Sequence, residues 1–378
     1  MISLVFPPEI GKEKTEPGQN LQVGLTRSPF FFSQKEDEFL PEAKEPLPMK
    51  PLLHSRLLNG PFGDPALFVE ILWEHRALLF DLGELEKLRP AKLLKVSHAF
   101  VTHTHIDHFI GFDTLLRVML RREKAVKIFG PQGFLANIRG KLAGYTWNLA
   151  TDYPLVIEAE EVLPDRILRQ RFPCREHFFP SEVREREFNG ILEDEELLRI
   201  QAVHLDHFIP SLAFALQERF HVNVHREKLG QMGLAVGPWI REMKQAIWRG
   251  EGGDTRLQVP FGGKGGKQGV DLSLDRLREA VTITSGQKIA YVADCRFTEK
   301  NIHRIIRLAE GADIFFCEAA FSDRDRDRAE ERAHLTARQA GELARMAKAK
   351  KLQIFHFSPK YEKEGNLLEQ EAAEAFRG

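Results

Sequence analysis

Phe100-Val101-Thr102-His103-Thr104-His105-Ile106-Asp107-His108-Phe109-Ile110-Gly111 is the stretch whose reading decides this chain. The apolar run Ala99-Phe100-Val101 reads as the end of a strand, with polar donors packed directly behind it. His103 and His105 stand two apart, so in extended backbone their side chains leave the same face. Two imidazoles on one face can hold one metal ion. Asp107 and His108 follow in the loop and can turn to a second ion beside it. Imidazole nitrogen with carboxylate oxygen suits zinc, and less specifically manganese or iron. Chance histidines in a polar loop are the plain alternative, but four donors within six residues argue against it.

Outward from that stretch the pattern is α/β. Ala66–Trp73, a polar turn at Glu74-His75-Arg76, and Ala77–Gly83 predict a β-hairpin. Phe112–Arg122 carries the apolar spacing of a helix, and Val126–Pro131 reads as another strand. Residues 133–200 are harder, with a helix, scattered strands and a charged stretch from Arg166 to Glu196. Glu196–His207 is strand-like and ends in histidines. Lys288–Cys295 and Ala312–Phe321 are buried-type strands ending on acidic residues. Leu335–Lys350 reads as a helix, and Leu352–Phe357 as a last strand with a histidine near its end. Strands that deliver His, Asp and Glu at their ends, alternating with helices, suit a layered α/β sheet with its site at the strand ends.

The chain has 378 residues, 43% of them apolar, enough for a sizeable core. A formal net charge of -1 does not advertise nucleic acid, though one basic face can still bind phosphates. Cys174, Cys295 and Cys317 are far apart and odd in number, so no disulfide framework or paired-cysteine zinc site is expected. A reduced, cytoplasmic setting follows. No stretch is long and apolar enough to span a membrane, so no membrane partner is expected. Residues 1–48 are rich in Pro, Glu and Lys without a steady period and predict an extended or disordered leader, with Phe30-Phe31-Phe32 its one apolar exception. Patterned chain starts at Met49 and runs to Gly378.

Thr102–His108 resembles the HxHxDH signature of the metallo-β-lactamase superfamily. That resemblance implies an αββα sandwich, two mixed sheets flanked by helices. It implies two divalent metal ions, zinc foremost. His103, His105 and His207 would hold one, Asp107, His108 and His356 the other, and Asp294 would bridge them. Asp81 matches a family aspartate that steadies the ligand loop. His204 competes with His207, and His207 is preferred because the family spacing runs from that histidine through a Pro-Ser turn into the next strand.

Within the superfamily the chain resembles ribonuclease Z, an endonuclease of precursor tRNA 3′ ends. Cys317–Phe321 with Ala333–Ala344 is similar to that family's EATF and HST segments. The resemblance implies His334 as a proton donor, Glu318 as its partner, Asp107 as the group that orients and deprotonates the attacking water, and Thr336 as the start of a helix. His356–Tyr361 is similar to HFSPRY, with Lys360 where arginine is common. Lys228–Lys244 is similar to the stretch ending in a Gly-Pro turn, here Gly237-Pro238, within a tRNA-binding arm. The likeness implies a protruding basic arm inserted at 217–269, a precursor-tRNA partner contacted through Gly237, Pro238, Arg241, Lys244, Arg249 and Lys360, and a homodimer. Between 219 and 249, Arg219, Arg226, Lys228, Arg241, Lys244 and Arg249 outnumber Glu227 and Glu242, a net charge of +4. Trp239 and Trp248 either stack on bases or pack. Residues 262–269 read as a flexible glycine-rich linker.

The chain departs from that pattern in several places: Phe109–Leu116 after the signature, Phe80–Glu84 at the hairpin end, His-Leu-Thr for His-Ser-Thr, and Ser211–Leu216 for the usual Gly-Tyr. Two other readings stand beside it. A metallo-hydrolase of a small ester (cyclic nucleotide phosphodiester, lactone or aryl sulfate) would use the same metal site but has no need of a basic excursion. A catalytically silent nucleic-acid-binding protein would need no such ligand set.

Overall fold

The computed structural model describes residues 52–378, apart from Trp73 and residues 262–267. The leader at 1–48, Met49 and most of the glycine-rich linker therefore lie outside the described residues. Residues 49–378 form a compact unit of their own.

Two mixed sheets make the centre of the molecule. The first holds β1 (Leu53–Leu57), β2 (Leu67–Ile71), β3 (Arg76–Phe80), β4 (Val96–Phe100), β5 (Ala125–Gly130), β6 (Val156–Val162), β7 (Arg166–Pro173) and β8 (Arg184–Glu187), paired in chain order. Its middle, β3 to β6, is parallel; both flanks are antiparallel. The second holds β9 (Ile191–Asp194), β10 (Leu198–Asp206) and β11 (Pro210–Glu218). Beyond β11 lie β12 (Phe220–Val224), β13 (Arg256–Phe261), β14 (Gln268–Ser273) and β15 (Val281–Ser285), outside both large sheets. The second sheet resumes with β16 (Lys288–Val292), β17 (Ile314–Glu318) and β18 (Leu352–Phe355), in the order β18-β17-β16-β11-β10-β9.

Period-two alternation explains the layering. In β3, Leu78 and Phe80 face the second sheet while Ala77 and Leu79 face helices. In β16, Ile289 and Tyr291 face the first sheet while Ala290 and Val292 face the opposite side. Strands apolar on both faces must be covered on both. The inter-sheet core is aromatic, with Phe80, Phe100, Phe129, Phe214, Tyr291, Phe316 and Phe355 buried together.

The helices supply the outer layers. Over the first sheet lie α1 (Pro90–Leu93), α2 (Ile106–Phe109), α3 (Phe112–Met119) and α4 (Phe134–Ala143). The excursion after β11 contains α5 (Arg226–Gln231), α6 (Trp239–Trp248) and α7 (Leu274–Arg278). Over the second sheet lie α8 (Glu299–Ala309), α9 (Arg326–Glu331), α10 (Ala337–Met346) and α11 (Leu367–Arg377). This is the expected αββα sandwich. The predicted hairpin is β2 and β3, and the three strands ending in Asp294, Glu318 and His356 are the parallel run β16-β17-β18.

The expected excursion at 217–269 runs further than its composition suggested. β12 pairs with β15, which begins at Val281, and β13 pairs with β14. Gln268 and Gly269 thus open a strand rather than close a linker. The excursion encloses its own core of Val222, Leu229, Trp239, Met243, Ile247, Val259, Leu274 and Leu277. Trp248 packs against both that core and the inter-sheet core, and its indole N–H donates to the Phe220 carbonyl.

Candidate metal centre

Strand β4 ends at Phe100, and irregular chain that bends at Thr102 and is extended at His105 carries the first histidines out of it. Asp107 and His108 do not sit in an open loop, as expected, but on the single helical turn α2 that starts after His105. Gly111 closes the turn: a Cβ there would meet the Gly83 carbonyl oxygen at 2.0 Å, so only glycine lets the two segments pack.

All seven expected donors reach this point from four places in the chain, with Asp294 between the two groups. His103, His105, His207 and Asp294 each offer an atom within 4.8 Å of the others, and so do Asp107, His108 and His356. Asp294 Oδ2 is 3.7 Å from His103 Nε2 and 3.6 Å from His207 Nε2. Asp294 Oδ1 is 3.4 Å from His108 Nε2 and 2.8 Å from His356 Nδ1. Asp107 Oδ2 is 3.5 Å from His108 Nε2 and 3.2 Å from His356 Nε2. Among the described residues, His108 Nε2, Asp294 Oδ1 and His356 Nδ1 are buried and make no well-formed hydrogen bond, although Asp294 Oδ1 approaches both nitrogens. Buried polar atoms are normally paired. Imidazole nitrogens and carboxylate oxygens crowded together with few well-formed hydrogen bonds are what a divalent cation satisfies, so the residues present fit a metal ion.

His204 turns away. Its Nε2 lies 3.0 Å from the Val162 carbonyl and its ring meets Phe188 edge-on, whereas His207 points into the cluster. His207 Nδ1 is fixed by the Ala333 carbonyl at 2.9 Å. Asp81, fully buried, is the hub behind the cluster: it accepts from Thr102 N and Oγ1, Tyr291 OH and His108 Nδ1 at 2.7–3.0 Å.

The electrostatics follow from this geometry. Burial pushes His103 down to about 2, aided by the neighbouring His108. Burial also opposes the charged forms of His108 and His356, but the Asp294 carboxylate outweighs it and holds both above the usual histidine range. Asp294 and Asp107 are correspondingly held low by His356 and His108, against the effect of burial. Asp81, Phe208, Ala333 and His356 are four of the eight non-glycine residues with left-handed φ among the described residues. Such strain concentrates at functional sites.

His334 stands beside the cluster at the mouth of a cleft of about 490 Å³ lined by Asp107, Phe321, Arg328, Arg332, His334 and His356. Its Nδ1 is 2.9 Å from Glu318 Oε2, and Thr336 caps α10 through a reciprocal pair with Gln339. A grouping of Asp294, Glu318, His334 and His356 is also compact, but Glu318 and His334 are engaged with each other. His98, Glu193 and Glu195 form a further group, neutralised by Lys127 on Glu193 and Arg76 on Glu195.

The expected RNA-contact residues divide. Pro238 and Arg241 are exposed and Gly237 is half-buried at the entry to α6. Arg249 is exposed and pairs with Glu251 at 2.8 Å. Lys360 is held by both oxygens of Asp325 at 2.7 Å. Lys244 is only 6% exposed, on the apolar face of α6, so it is not presented to a phosphate backbone and drops out of that surface. Trp239 is buried in the same core and donates to the Ala235 carbonyl, so it packs rather than stacks. Sequence reasoning missed Thr102, Tyr291, the Ala333 carbonyl, Arg328 and Arg332. Thr102 lies inside the histidine motif. Tyr291 sits three residues before Asp294, and the arginines stand one helical turn apart just before His334.

Fold and site together define a protein of the metallo-β-lactamase fold with a cluster suited to a divalent metal ion. No family model matches the chain. Its sequence is similar to ribonuclease Z of Deinococcus radiodurans, 29% identical over 317 residues, 82% of this chain and 91% of that one. It is also similar to ribonuclease Z of Exiguobacterium sibiricum, 29% identical over 319 residues, 82% of this chain and 88% of that one. Among solved structures, the short form of human tRNase Z aligns over 81% of this chain and 93% of its own, at 19% identity and a TM-score of 0.48. Among the described residues, no helix is long and apolar enough to cross a membrane.

Proposed function

We propose that this chain is a metal-dependent endoribonuclease of the ribonuclease Z type, removing the 3′ trailer from precursor tRNA. The observation that carries the reading is the pairing of an orphaned His/Asp cluster with His334, held by Glu318 at its edge. The similarity to curated proteins named ribonuclease Z over about four-fifths of the chain supports the same reading and not the small-ester alternative.

In this proposal His103, His105 and His207 would hold one divalent ion and Asp107, His108 and His356 a second, with Asp294 available to both; zinc would suit the mixed imidazole and carboxylate set. Bound divalent ions supply an acidified water and neutralise charge on the scissile phosphate. Asp107, the more exposed carboxylate of the cluster, orients the attacking water and takes its proton. His334 gives a proton to the leaving ribose oxygen. Glu318 fixes the His334 ring and favours its protonated form, outweighing the opposing effect of burial. The products are a 3′-hydroxyl on the tRNA and a 5′-phosphate on the trailer. Gly237, Pro238, Arg241 and Arg249 form the proposed tRNA-facing part of the arm. The proposal includes a cytoplasmic homodimer, which sedimentation would test.

The test is to incubate purified protein with precursor tRNA and with a chromogenic phosphodiester, with and without chelator, and to map the ends. Chelator-sensitive cleavage leaving those termini at the trailer junction supports the reading. Cleavage of the small diester alone overturns it.

A further inference from the structure

A second hollow opens beside the turn that carries His207, walled by the residues on either side of that histidine rather than by the ligands themselves. It has a volume of about 620 Å³, and its walls include His204, Asp206, Phe208, Lys300, Asn301 and Arg304. Phe208 follows His207 directly, yet the residue is 63% exposed and its backbone is left-handed, with φ 59°. A large apolar side chain in a strained conformation at a site's rim needs a cause.

The turn is built to hold that ring out. Asp206 Oδ1 accepts from Phe208 N at 2.9 Å, and its Oδ2 binds Arg296 Nη1 at 3.0 Å. Asn301 clasps the Asp206 backbone on both sides, through its N–H at 3.1 Å and its carbonyl at 2.9 Å. The Arg296 guanidinium lies 4.5 Å over the Phe208 ring, and its buried Nε has no hydrogen-bond partner among the described residues. Lys300 is exposed further along the wall and has no carboxylate partner among the described residues, while Asp206 is already neutralised by Arg296. An aromatic platform backed by a cation, opening into a groove with free positive charge, matches what binds single-stranded nucleic acid through stacking and phosphate contact.

The geometry points to this groove as the seat of the single-stranded 3′ trailer, with its bases stacking on Phe208 and its backbone meeting Lys300. The inference rests on the ribonuclease reading of the same site. His334 lines the other cleft, so the ribose that receives its proton, the new 3′ end of the tRNA, belongs there. The strand beyond the cut must leave by another route, and this groove begins one residue from His207.

The test uses the full chain and two measurements. The first is binding of a six-nucleotide single-stranded RNA bearing a 5′-phosphate, followed by fluorescence anisotropy. Wild type should bind it, Phe208→Ala should weaken binding about tenfold, and Phe208→Trp should restore it. Lys300→Gln should flatten the salt dependence. The second is cleavage of precursor tRNA with trailers of one to six nucleotides, where the KM penalty of Phe208→Ala should grow with trailer length. No oligonucleotide binding by wild type, or equal binding by wild type and Phe208→Ala, overturns the groove. So does a penalty independent of length. Failure of wild type to cut any precursor tRNA while still binding the oligonucleotide through Phe208 would instead sink the ribonuclease reading and leave the groove standing.

Discussion

His334 Nδ1 lies 2.9 Å from Glu318 Oε2, and the other oxygen of that carboxylate accepts from Cys295 N at 2.8 Å. One buried side chain thus ties the proposed proton donor to the segment that carries Asp294. The Nδ1–H is spent on the carboxylate, which leaves Nε2 as the nitrogen free for proton transfer. Replacing His334 with alanine removes a donor but no proposed ligand. Turnover of precursor tRNA should fall by roughly 10²–10⁴-fold while metal content, measured by elemental analysis, stays at the wild-type value. Loss of metal along with turnover would make His334 a ligand instead.

The Asp81 carboxylate organises the cluster from behind. Asp81→Asn keeps the shape but turns one acceptor oxygen into a donor facing donors, and it frees the His108 ring to rotate. Metal affinity should drop by about 10–100-fold in a competition titration with a chromophoric chelator. In the same assay His207→Ala should cost metal and His204→Ala should not. The reverse ranking would restore His204 as the ligand.

Much of the site was legible because its donors come as a local motif or at the ends of apolar strands. Asp294, Glu318 and His356 each follow a run that could only be a buried strand. His207 was preferred to His204 on the spacing that the resemblance implies, and it is His207 that points into the cluster. The 133–200 region resisted because its strands bury charge: in β6, Glu160 is fully buried and bonded by Arg169 and Arg186 from β7 and β8, so the polar pattern hides a strand. Counting charge along the arm misplaced Lys244, because a net charge does not say which face of α6 a residue occupies. The arm's true end was hidden for a related reason: β15, with Thr282 and Ile283 exposed, has the look of a loop until β12 is found beside it.

His98 gives a pH dependence remote from the metal cluster. Burial, with Lys127 and Arg76 nearby, pushes it down to about 3. In the unfolded chain it titrates near the ordinary value of about 6.5. Below that value the unfolded state binds the extra proton and the folded state does not, so this stabilisation is complete above about pH 6.5 and is lost as pH falls toward 3. The slope is about 1.4 kcal/mol per pH unit at most. Urea unfolding at pH 7 and pH 5 should show a smaller loss for His98→Phe, whose ring can take the same place parallel to Phe100 and Phe129. Equal losses would remove His98 from the acid response.

Residues 49–378 form a unit of their own, with the sheets, helices and all seven proposed ligands inside it. Protein starting at Met49 should therefore stay soluble, unfold cooperatively and bind the same amount of metal as the full chain. Insoluble protein, or protein that binds less metal, would make residues 1–48 part of the folded body.

The arm separates charge that faces solvent from charge that supports the fold. Arg241 and Arg249 are exposed on and just after α6, whereas Lys244 lies between them on the buried face. If the arm grips a tRNA body, it acts far from the cut bond and through phosphates. Arg241→Gln with Arg249→Gln should then raise KM for precursor tRNA and lower the slope of log affinity against log salt by about one unit per lost contact. Arg249 must leave Glu251 to make its contact, so the larger share should fall to Arg241. Hydrolysis of a small chromogenic diester needs only the metal cluster and should hardly change. Lys244→Gln should do the opposite, lowering the unfolding temperature and leaving the salt slope alone. A salt slope that answers to Lys244 and not to Arg241 would mean that α6 presents its other face to the substrate.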